Sequence, residues 1–286
     1  MTIDISGALN MSEVDSIERS GESNACSSSL VIKIKNIVAH KHLLVYINMC
    51  DIVIYTNEEC LSFKKGDLIF IERGLRFNCE IRKHNKESPP LQFADIDGVT
   101  LKYLKDMIHT LYGYKLDEKQ LSRCLADKII GVNTNEYYVR LFNLICNASD
   151  NITKAIKVAY LISKLEVRDK LIFSLNISAA TVFSDKIRNL ILEDLSRKWR
   201  LSLIADKFNV SEVTIRKRLE SENTSFNNLI LDLRMNKALQ LLHENETQIH
   251  QISKLIGISN PSYFIKIFKD YFGVTPKQYM LYFRIK

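Results

Sequence analysis

Two similar segments in the last third of the chain limit its fold more than any other feature. They are 201–211, LSLIADKFNVS, and 249–259, IHQISKLIGIS, so the second repeats the plan of the first 48 residues later. In both, apolar residues recur at helical spacing and lead to a residue that suits a tight turn, Asn209 in the first copy and Gly257 in the second. A helix, a tight turn and a second helix make a helix-turn-helix unit, so the repeat predicts two such units in an all-helical domain.

Each turn leads into a second helix that is apolar behind and basic in front. These two helices begin at the capping residues Ser211 and Asn260. In the second copy the apolar side comprises Tyr263, Phe264, Ile267, Phe268 and Tyr271. Because the second helix of such a unit fits the major groove, the opposite sides are predicted to contact DNA. The predicted DNA-binding residues are Ser211, Val213, Thr214, Arg216, Lys217, Arg218, Ser262, Lys266 and Lys269.

A segment without a helix breaker joins the two copies. It is 225–244, SFNNLILDLRMNKALQLLHE, and it predicts one continuous connecting helix. A stiff helix of this kind can hold two reading helices about one DNA turn apart, roughly 34 Å, so that one molecule engages two successive stretches of the major groove.

Positive charge is concentrated in the same part of the chain. The net charge is +7, and residues 184–286 carry 17 Lys or Arg against 11 Asp or Glu, a net +6. Residues 1–183 carry 23 against 22, a net +1. This asymmetry favours a polyanionic partner, since phosphate neutralisation releases counterions, although a solvated helical surface would give the same count. A non-specific, nucleoid-like DNA-binding protein is therefore the alternative function; Val213, Thr214 and Ser262 beside the cations favour base recognition instead.

The composition and hydrophobic periodicity of the sequence change twice in the first two thirds of the chain. Residues 1–29 are Ser-rich and aperiodic, which predicts a flexible tail. Residues 30–98 contain short runs rich in Val, Ile, Tyr and Phe between polar turns, which predict an antiparallel β-barrel or sandwich. Residues 100–166 change to helical periodicity, and 167–183 are predicted to be a linker before the all-α domain 184–286. The predicted fold class is α+β.

Several function classes lack the residues that they need. The six cysteines form no C-x-x-C pair, and the H-x-H pair of His40 and His42 lacks the further ligands of a metal-binding cupin, so we expect reduced thiols and no metal. A phosphate-binding loop, a nucleophile-elbow serine and paired carboxylates are missing too, so we do not expect an enzyme, even one with a DNA-binding appendage. A secretory pattern and a membrane-length apolar run are absent, which predicts a cytoplasmic protein without a membrane partner.

The C-terminal hundred residues resemble the DNA-binding domain of AraC/XylS transcription regulators. The signature S-Y-F-x-[RK]-x-F-K-x-x-F-G-x-T-P-x-x-[YF] is matched by residues 262–279, and 183–227 are similar to enteric virulence regulators of the ToxT and Rns group. The resemblance implies a cupin-like effector-sensing and dimerisation domain over 30–166. It also implies activation of virulence or fimbrial genes by binding double-stranded promoter DNA and contacting RNA polymerase. We expect a weak homodimer whose strength depends on promoter layout.

The same resemblance implies a small anionic effector where the two domains meet, and no cofactor. The candidate effector-binding residues are His40, Lys41, Arg234 and Lys237. Ala94 stands where we align an arginine of the Rns-type pocket, so a fatty acid and bicarbonate are both candidate effectors. In the alternative interpretation, His40 and His42 are strand histidines on opposite sides, one hydrogen-bonded and one solvated.

Overall fold

The computed structural model of the 286-residue chain describes residues 30–85, 87–113, 123–180, 182–243 and 248–283. The predicted N-terminal tail, 1–29, lies outside these residues.

The described residues contain eight strands in two four-stranded antiparallel sheets. The strands are β1 (Val31–Val38), β2 (His42–Ile47), β3 (Cys50–Tyr55), β4 (Cys60–Phe63), β5 (Asp67–Ile71), β6 (Arg76–Lys83), β7 (Leu91–Ile96) and β8 (Ile129–Asn133). The first sheet has the order β1-β6-β3-β4, and the second has the order β7-β2-β5-β8. Each sheet keeps its own four strands, so the prediction of a barrel or sandwich is confirmed in its sandwich form.

The space between the sheets is filled by alternate side chains of their strands. Ile34, Ile54 and Cys79 of the first sheet belong to the same buried cluster as Val45 and Ile69 of the second. Because successive strand residues point to opposite faces, the second sheet has another face to cover. One of its two central strands, β5, is buried on both faces as a result.

Helices cover the outer face of the second sheet. They are α1 (Gly98–Tyr112), α2 (Leu125–Lys128), α3 (Glu136–Cys146), α4 (Asn151–Ser163) and α5 (Arg168–Ser178). Leu44 and Phe70 of the sheet are buried with Leu104, Phe142 and Val158 of these helices in a second cluster.

The structure differs from two sequence predictions between residues 100 and 183. Residues Ile129–Asn133, predicted as helix, form strand β8, because they pair with the free edge of β5 from Ile71 to Asp67. The predicted linker 167–183 contains helix α5, whose Leu171, Ile172 and Leu175 are buried in the second cluster.

The C-terminal part is all-helical, as the internal repeat predicts. Its helices are α6 (Phe183–Glu193), α7 (Leu201–Phe208), α8 (Glu212–Ser221), α9 (Phe226–His243), α10 (Ile249–Leu255), α11 (Pro261–Phe272) and α12 (Pro276–Phe283). Helices α7 and α8 form the first helix-turn-helix unit, α10 and α11 form the second, and the long helix α9 joins them. Asn209 and Gly257 have φ values of 51° and 76°, so both predicted turn residues are left-handed.

The first sheet packs directly against the helical domain. Apolar residues of both belong to one continuous cluster. Asn36 on β1 donates its side-chain N–H to the carbonyl of Tyr271 at 2.9 Å, and the Tyr282 hydroxyl donates to the carbonyl of Ile81 at 2.8 Å. Lys83 on β6 donates to the carbonyl of Tyr282 in return. Within the described residues, no helix is long and apolar enough to cross a membrane.

Candidate nucleic-acid interface

Helix α8, the predicted DNA-reading helix of the first unit, is fixed at its start and along its back. The Ser211 hydroxyl accepts a hydrogen bond from the backbone N–H of Thr214 at 3.1 Å, which satisfies a free donor of the first turn. Ile215 and Leu219, four residues apart, are fully buried behind the helix. This anchoring leaves Val213 and Lys217 exposed on the opposite side.

Two of the predicted cations on α8 already have partners inside the domain. The Arg216 guanidinium lies 2.9 Å from the Glu212 carboxylate, and the Arg218 guanidinium lies 5.0 Å from the centre of the Phe183 ring. Lys217 has no such partner among the described residues, so it is the cation of α8 that can enter a groove without breaking an existing contact.

Helix α11, the predicted DNA-reading helix of the second unit, is capped and anchored in the same way. The Asn260 side-chain oxygen accepts from the N–H groups of Ser262 and Tyr263 at 2.9 and 3.1 Å. Phe264 and Phe268 are fully buried, with ring centres 5.7 Å apart in an edge-to-face arrangement. The aromatic back therefore holds the helix against its domain.

The front of α11 contains one residue more than the sequence pattern indicated. Ser262, Lys266 and Lys269 are exposed, as predicted. Tyr263, which the pattern placed on the apolar side, is 57% exposed and lies on this outer surface with Ile265. Its position beside Ser262 at the start of the helix is the only sequence signal that could have assigned it there, because a tyrosine suits a core as well as a surface.

A cluster of arginines surrounds His40 where the two domains meet. The Nε2 atom of His40 is buried without a hydrogen-bond partner. Burial, followed by the positive charge of Arg188, lowers the pKa of His40 to about 4, and Arg76 and Arg73 act in the same direction while Asp232 opposes them. His40 is therefore neutral at physiological pH, and its ring can accept or donate one further hydrogen bond.

The arginines around His40 are held by two aspartates. Arg73 and Arg188 both pair with Asp185, the latter at 3.0 Å, and Arg76 pairs with Asp232 at 2.6 Å. Three guanidinium groups thus pair with two carboxylates, so these five side chains carry a net charge of +1. Arg73 and Arg76 lie on either side of Gly74 in the sequence, but Arg188 is more than a hundred residues away, and only the fold brings it to them.

The other candidate effector residues contact partners outside this cluster. Lys41 points outward and pairs with Asp95 at 2.7 Å. Arg234 donates to the carbonyl of Arg197 at 3.3 Å, inside the helical domain. Lys237 contacts the Gln240 side chain at 3.2 Å, one turn along α9.

His42 is a buried strand histidine with a hydrogen-bond partner of its own. Its Nδ1 atom lies 3.0 Å from the Ser178 hydroxyl, which links β2 to the end of α5. Burial lowers the pKa of His42 to about 3.

Comparison with known proteins places this architecture among transcription regulators. Residues 204–281 match the family described as Helix-turn-helix domain. The chain is 45% identical to the DNA-binding dual transcriptional regulator Rns of Escherichia coli, over 88% of this chain and 95% of Rns. It is 44% identical to the HTH-type transcriptional activator CfaD of Escherichia coli (89% and 96% covered) and 33% identical to the virulence regulon transcriptional activator VirF of Shigella flexneri (85% and 92%). All three relatives are named as transcription regulators, not as enzymes.

Solved structures share the whole fold. ToxT from Vibrio cholerae aligns with a TM-score of 0.66 at 17% identity, over 89% of this chain and 96% of ToxT. An unsaturated fatty acid-bound form of ToxT aligns with a TM-score of 0.59 at 17% identity, over 88% and 91%. Because the sequence identity to ToxT is 17%, this structural similarity establishes the shared fold alone, a sandwich and its helices followed by a helical domain.

Proposed function

Because the chain belongs to the AraC/XylS family of transcription regulators, we propose that it binds double-stranded promoter DNA through α8 and α11 and activates virulence or fimbrial genes, partly by contacting RNA polymerase. The single observation that supports two-helix reading is the repeated design of these helices. Each has a capped start, a fully buried apolar back and an exposed front with lysines and small polar or apolar side chains. These exposed helix surfaces are suited to contact base edges in the major groove, where a lysine can donate to guanine and Val213 can contact a thymine methyl group.

A DNA-binding measurement on the purified chain tests this proposal. Affinity is compared between an upstream region of a virulence or fimbrial promoter and shuffled DNA of the same composition. Lys217→Ala in α8 and Lys266→Ala in α11 should each weaken promoter binding by about tenfold and reduce the preference over shuffled DNA. Lys105→Ala, an exposed lysine on α1, is the matched control and should bind as the wild type does.

The alternative, a non-specific nucleoid-like binder, gives a different result. It would bind both DNAs equally and lose affinity steeply as salt rises, because only phosphate contacts would contribute. A promoter preference that disappears in Lys217→Ala but persists in Lys266→Ala would instead indicate that one helix reads sequence and the other only holds the backbone.

The arginine cluster around His40 is our proposed site for a small anionic effector, a fatty acid or bicarbonate. The excess positive charge of Arg73, Arg76 and Arg188, together with the unpartnered Nε2 atom of His40, supports a carboxylate or bicarbonate ligand. Because one ToxT structure contains a bound fatty acid, a carboxylate is the stronger candidate of the two ligands.

Promoter binding with added decanoate, bicarbonate or chloride tests the effector proposal. His40→Gln should remove the response to the active anion, because the ring that faces the arginines is lost. Lys41→Ala is the matched control, since Lys41 is adjacent in sequence but pairs with Asp95 outside the cluster. A response that survives His40→Gln and disappears in Lys41→Ala would move the site to the outer surface of the sandwich.

A further inference from the structure

A cleft of about 440 Å³ opens beside the first reading helix. One wall is the segment Trp199–Leu201 before α7, and another is the segment Thr224–Asn227 at the start of α9. The third wall is a flank of α8, formed by Arg216, Leu219 and Glu220. Of the residues that we assign to DNA contacts, only Arg216 lines this cleft.

The flank of α8 that lines the cleft adjoins the exposed front of the helix. Arg216 and Glu220 are four residues apart and share one side, between the buried Leu219 and the exposed Val213 and Lys217. A helix inserted in the major groove presents its front to base edges and its flanks to the two sugar-phosphate backbones. The cleft therefore lies where a backbone passes when α8 reads a groove.

Basic side chains dominate the rim of the cleft. Arg200 is exposed, and its side chain forms no ion pair within the described part of the chain. Arg197 and Lys198, the residues just before the cleft wall, are exposed too. Glu220 is the one acidic residue among those that line it. The balance of charge favours an anion.

The wall beside Arg200 is rigid. The indole N–H of Trp199 donates to the carbonyl of Asp194 at 2.8 Å, and the Arg197 guanidinium lies 5.1 Å from the centre of the indole ring. On the opposite wall, the Ser225 hydroxyl accepts from the N–H of Asn228 at 3.3 Å and keeps its own proton free to donate. The cleft thus combines the exposed Arg200 guanidinium with the Ser225 hydroxyl, and a guanidinium forms strong, charge-assisted hydrogen bonds to phosphate oxygens.

We propose that this cleft binds a phosphate of the DNA backbone beside the groove that α8 reads. Arg200 is its unpaired cationic donor, and Arg216, which forms an ion pair with Glu212 at 2.9 Å, lies beside it. The proposal rests on DNA binding through α8. It assigns Arg200 a sequence-independent role, which fixes the register of α8 on the duplex without contributing to base preference.

Arg200→Ala tests the site by its salt dependence. Affinity for promoter and for shuffled DNA should both fall, by roughly tenfold and to the same extent, because a phosphate contact carries no sequence information. The slope of log affinity against log salt should become shallower by about one, the value for one phosphate. Arg82→Ala on β6 removes the same charge from an exposed site of the sandwich and should leave the slope unchanged.

Glu220→Gln gives the opposite expected change. Removing the one acidic group that lines the cleft should strengthen binding to both DNAs by a few-fold, with no gain in preference. Arg200→Lys keeps the charge and should retain the wild-type salt slope, which separates loss of a contact from loss of folding.

Three results would overturn the proposal. The first is an unchanged salt slope in Arg200→Ala, and the second is a loss restricted to promoter DNA, which would make Arg200 a base-reading residue. The third is saturable, Arg200-dependent binding of free inorganic phosphate while the DNA salt slope stays unchanged, which would identify a small-anion site. Equal binding of wild type to both DNAs would contradict sequence-specific regulation but not this backbone contact, so the two failures are distinguishable.

Discussion

Gly257 occupies a turn that leaves no room for a side chain. Its φ is +76°, and a Cβ atom there would lie 2.8 Å from the carbonyl oxygen of Ser196 and 2.9 Å from that of Leu195. Both oxygens belong to the backbone, so neither can move as a side chain would. The second helix-turn-helix unit therefore packs against the loop after α6 only because this residue is glycine.

The left-handed backbone of Gly257 would cost an alanine about 1–2 kcal/mol. Gly257→Ala should lower the free energy of unfolding by more than this, because the added Cβ atom also clashes with the two carbonyl oxygens. Gly74→Ala is the matched control, because Gly74 has φ +87° and nothing within 4 Å of its added Cβ. Urea denaturation of both variants measures the difference, and the excess loss in Gly257→Ala reports the backbone clash. Equal losses would mean that the loop of Leu195 and Ser196 moves aside freely.

Two histidines, the partly buried His40 and the buried His42, make stability depend on pH in the mildly acidic range. The pKa of His40 is lowered to about 4 and that of His42 to about 3, both from 6.5, by burial. Below pH 6.5 the unfolded chain therefore binds more protons than the folded chain, so the free energy of unfolding decreases as pH falls. The decrease continues to about pH 4 for His40 and to about pH 3 for His42.

His42→Gln should flatten this dependence. Each histidine contributes at most about 1.4 kcal/mol per pH unit well below pH 6.5, so the variant should lose less stability than wild type between pH 7 and pH 5. The free energy of unfolding at both pH values is the measurement. His250→Gln, an exposed site on α10, should keep the wild-type dependence, and an equal slope in His42→Gln would show that other groups cause it.

At the scale of single elements, local signals determined how much could be predicted. Asn209, Gly257 and the caps Ser211 and Asn260 act within one turn of their own helix, so the helix-turn-helix units and the connecting helix were predictable. Strand β8 was not, because Ile129 and Ile130 suit a helix equally well and only the distant edge of β5 selects the strand. The arginine cluster at His40 was hidden for the same reason, since it joins a strand turn to α6.

Helix α4 carries an exposed apolar stripe. Ile152, Ile156 and Tyr160 are spaced four residues apart and are 52, 55 and 46% exposed. The Tyr137 hydroxyl of α3 donates to that of Tyr160 at 2.8 Å, which extends the surface sideways. Two such stripes can pack across a two-fold axis through Ile156, because the spacing is the same in both directions.

We therefore expect the weak homodimer to form through α4. Ile156→Asp should raise the dimer dissociation constant by about tenfold or more, since it places a charge at the centre of the contact. Sedimentation equilibrium measures the change, and Leu192→Asp on α6, 51% exposed, is the matched control. A dissociation constant that rises only in Leu192→Asp would place the pairing surface on the helical domain.

At the scale of the whole molecule, the sandwich contacts α11, the second of the proposed DNA-reading helices, directly. The Tyr271 hydroxyl at the end of α11 donates to Asp232 on α9 at 2.5 Å, and Arg76 on β6 donates to both, at 3.2 Å to Tyr271 and 2.6 Å to Asp232. Burial, followed by the hydrogen bond to Asp232, raises the pKa of Tyr271, so the hydroxyl keeps its proton and its donor role. A change at the His40 cluster, which shares Arg76, can thus reach α11 through one side chain.

Arg76→Ala should loosen both sides of this interface together. Because Asp232 keeps Tyr271 as a partner, the helical domain should stay folded, while the sandwich loses the Arg76 contacts with Asp232 on α9 and Tyr271 on α11. Hydrogen exchange should therefore become faster in β1, where Asn36 donates to the carbonyl of Tyr271, and in the last turn of α11. Arg82→Ala, on the same strand but exposed, should leave both segments as in wild type. Faster exchange confined to β6 would mean that Arg76 does not couple the two domains, and that an effector at His40 must act on DNA binding by a route other than α11.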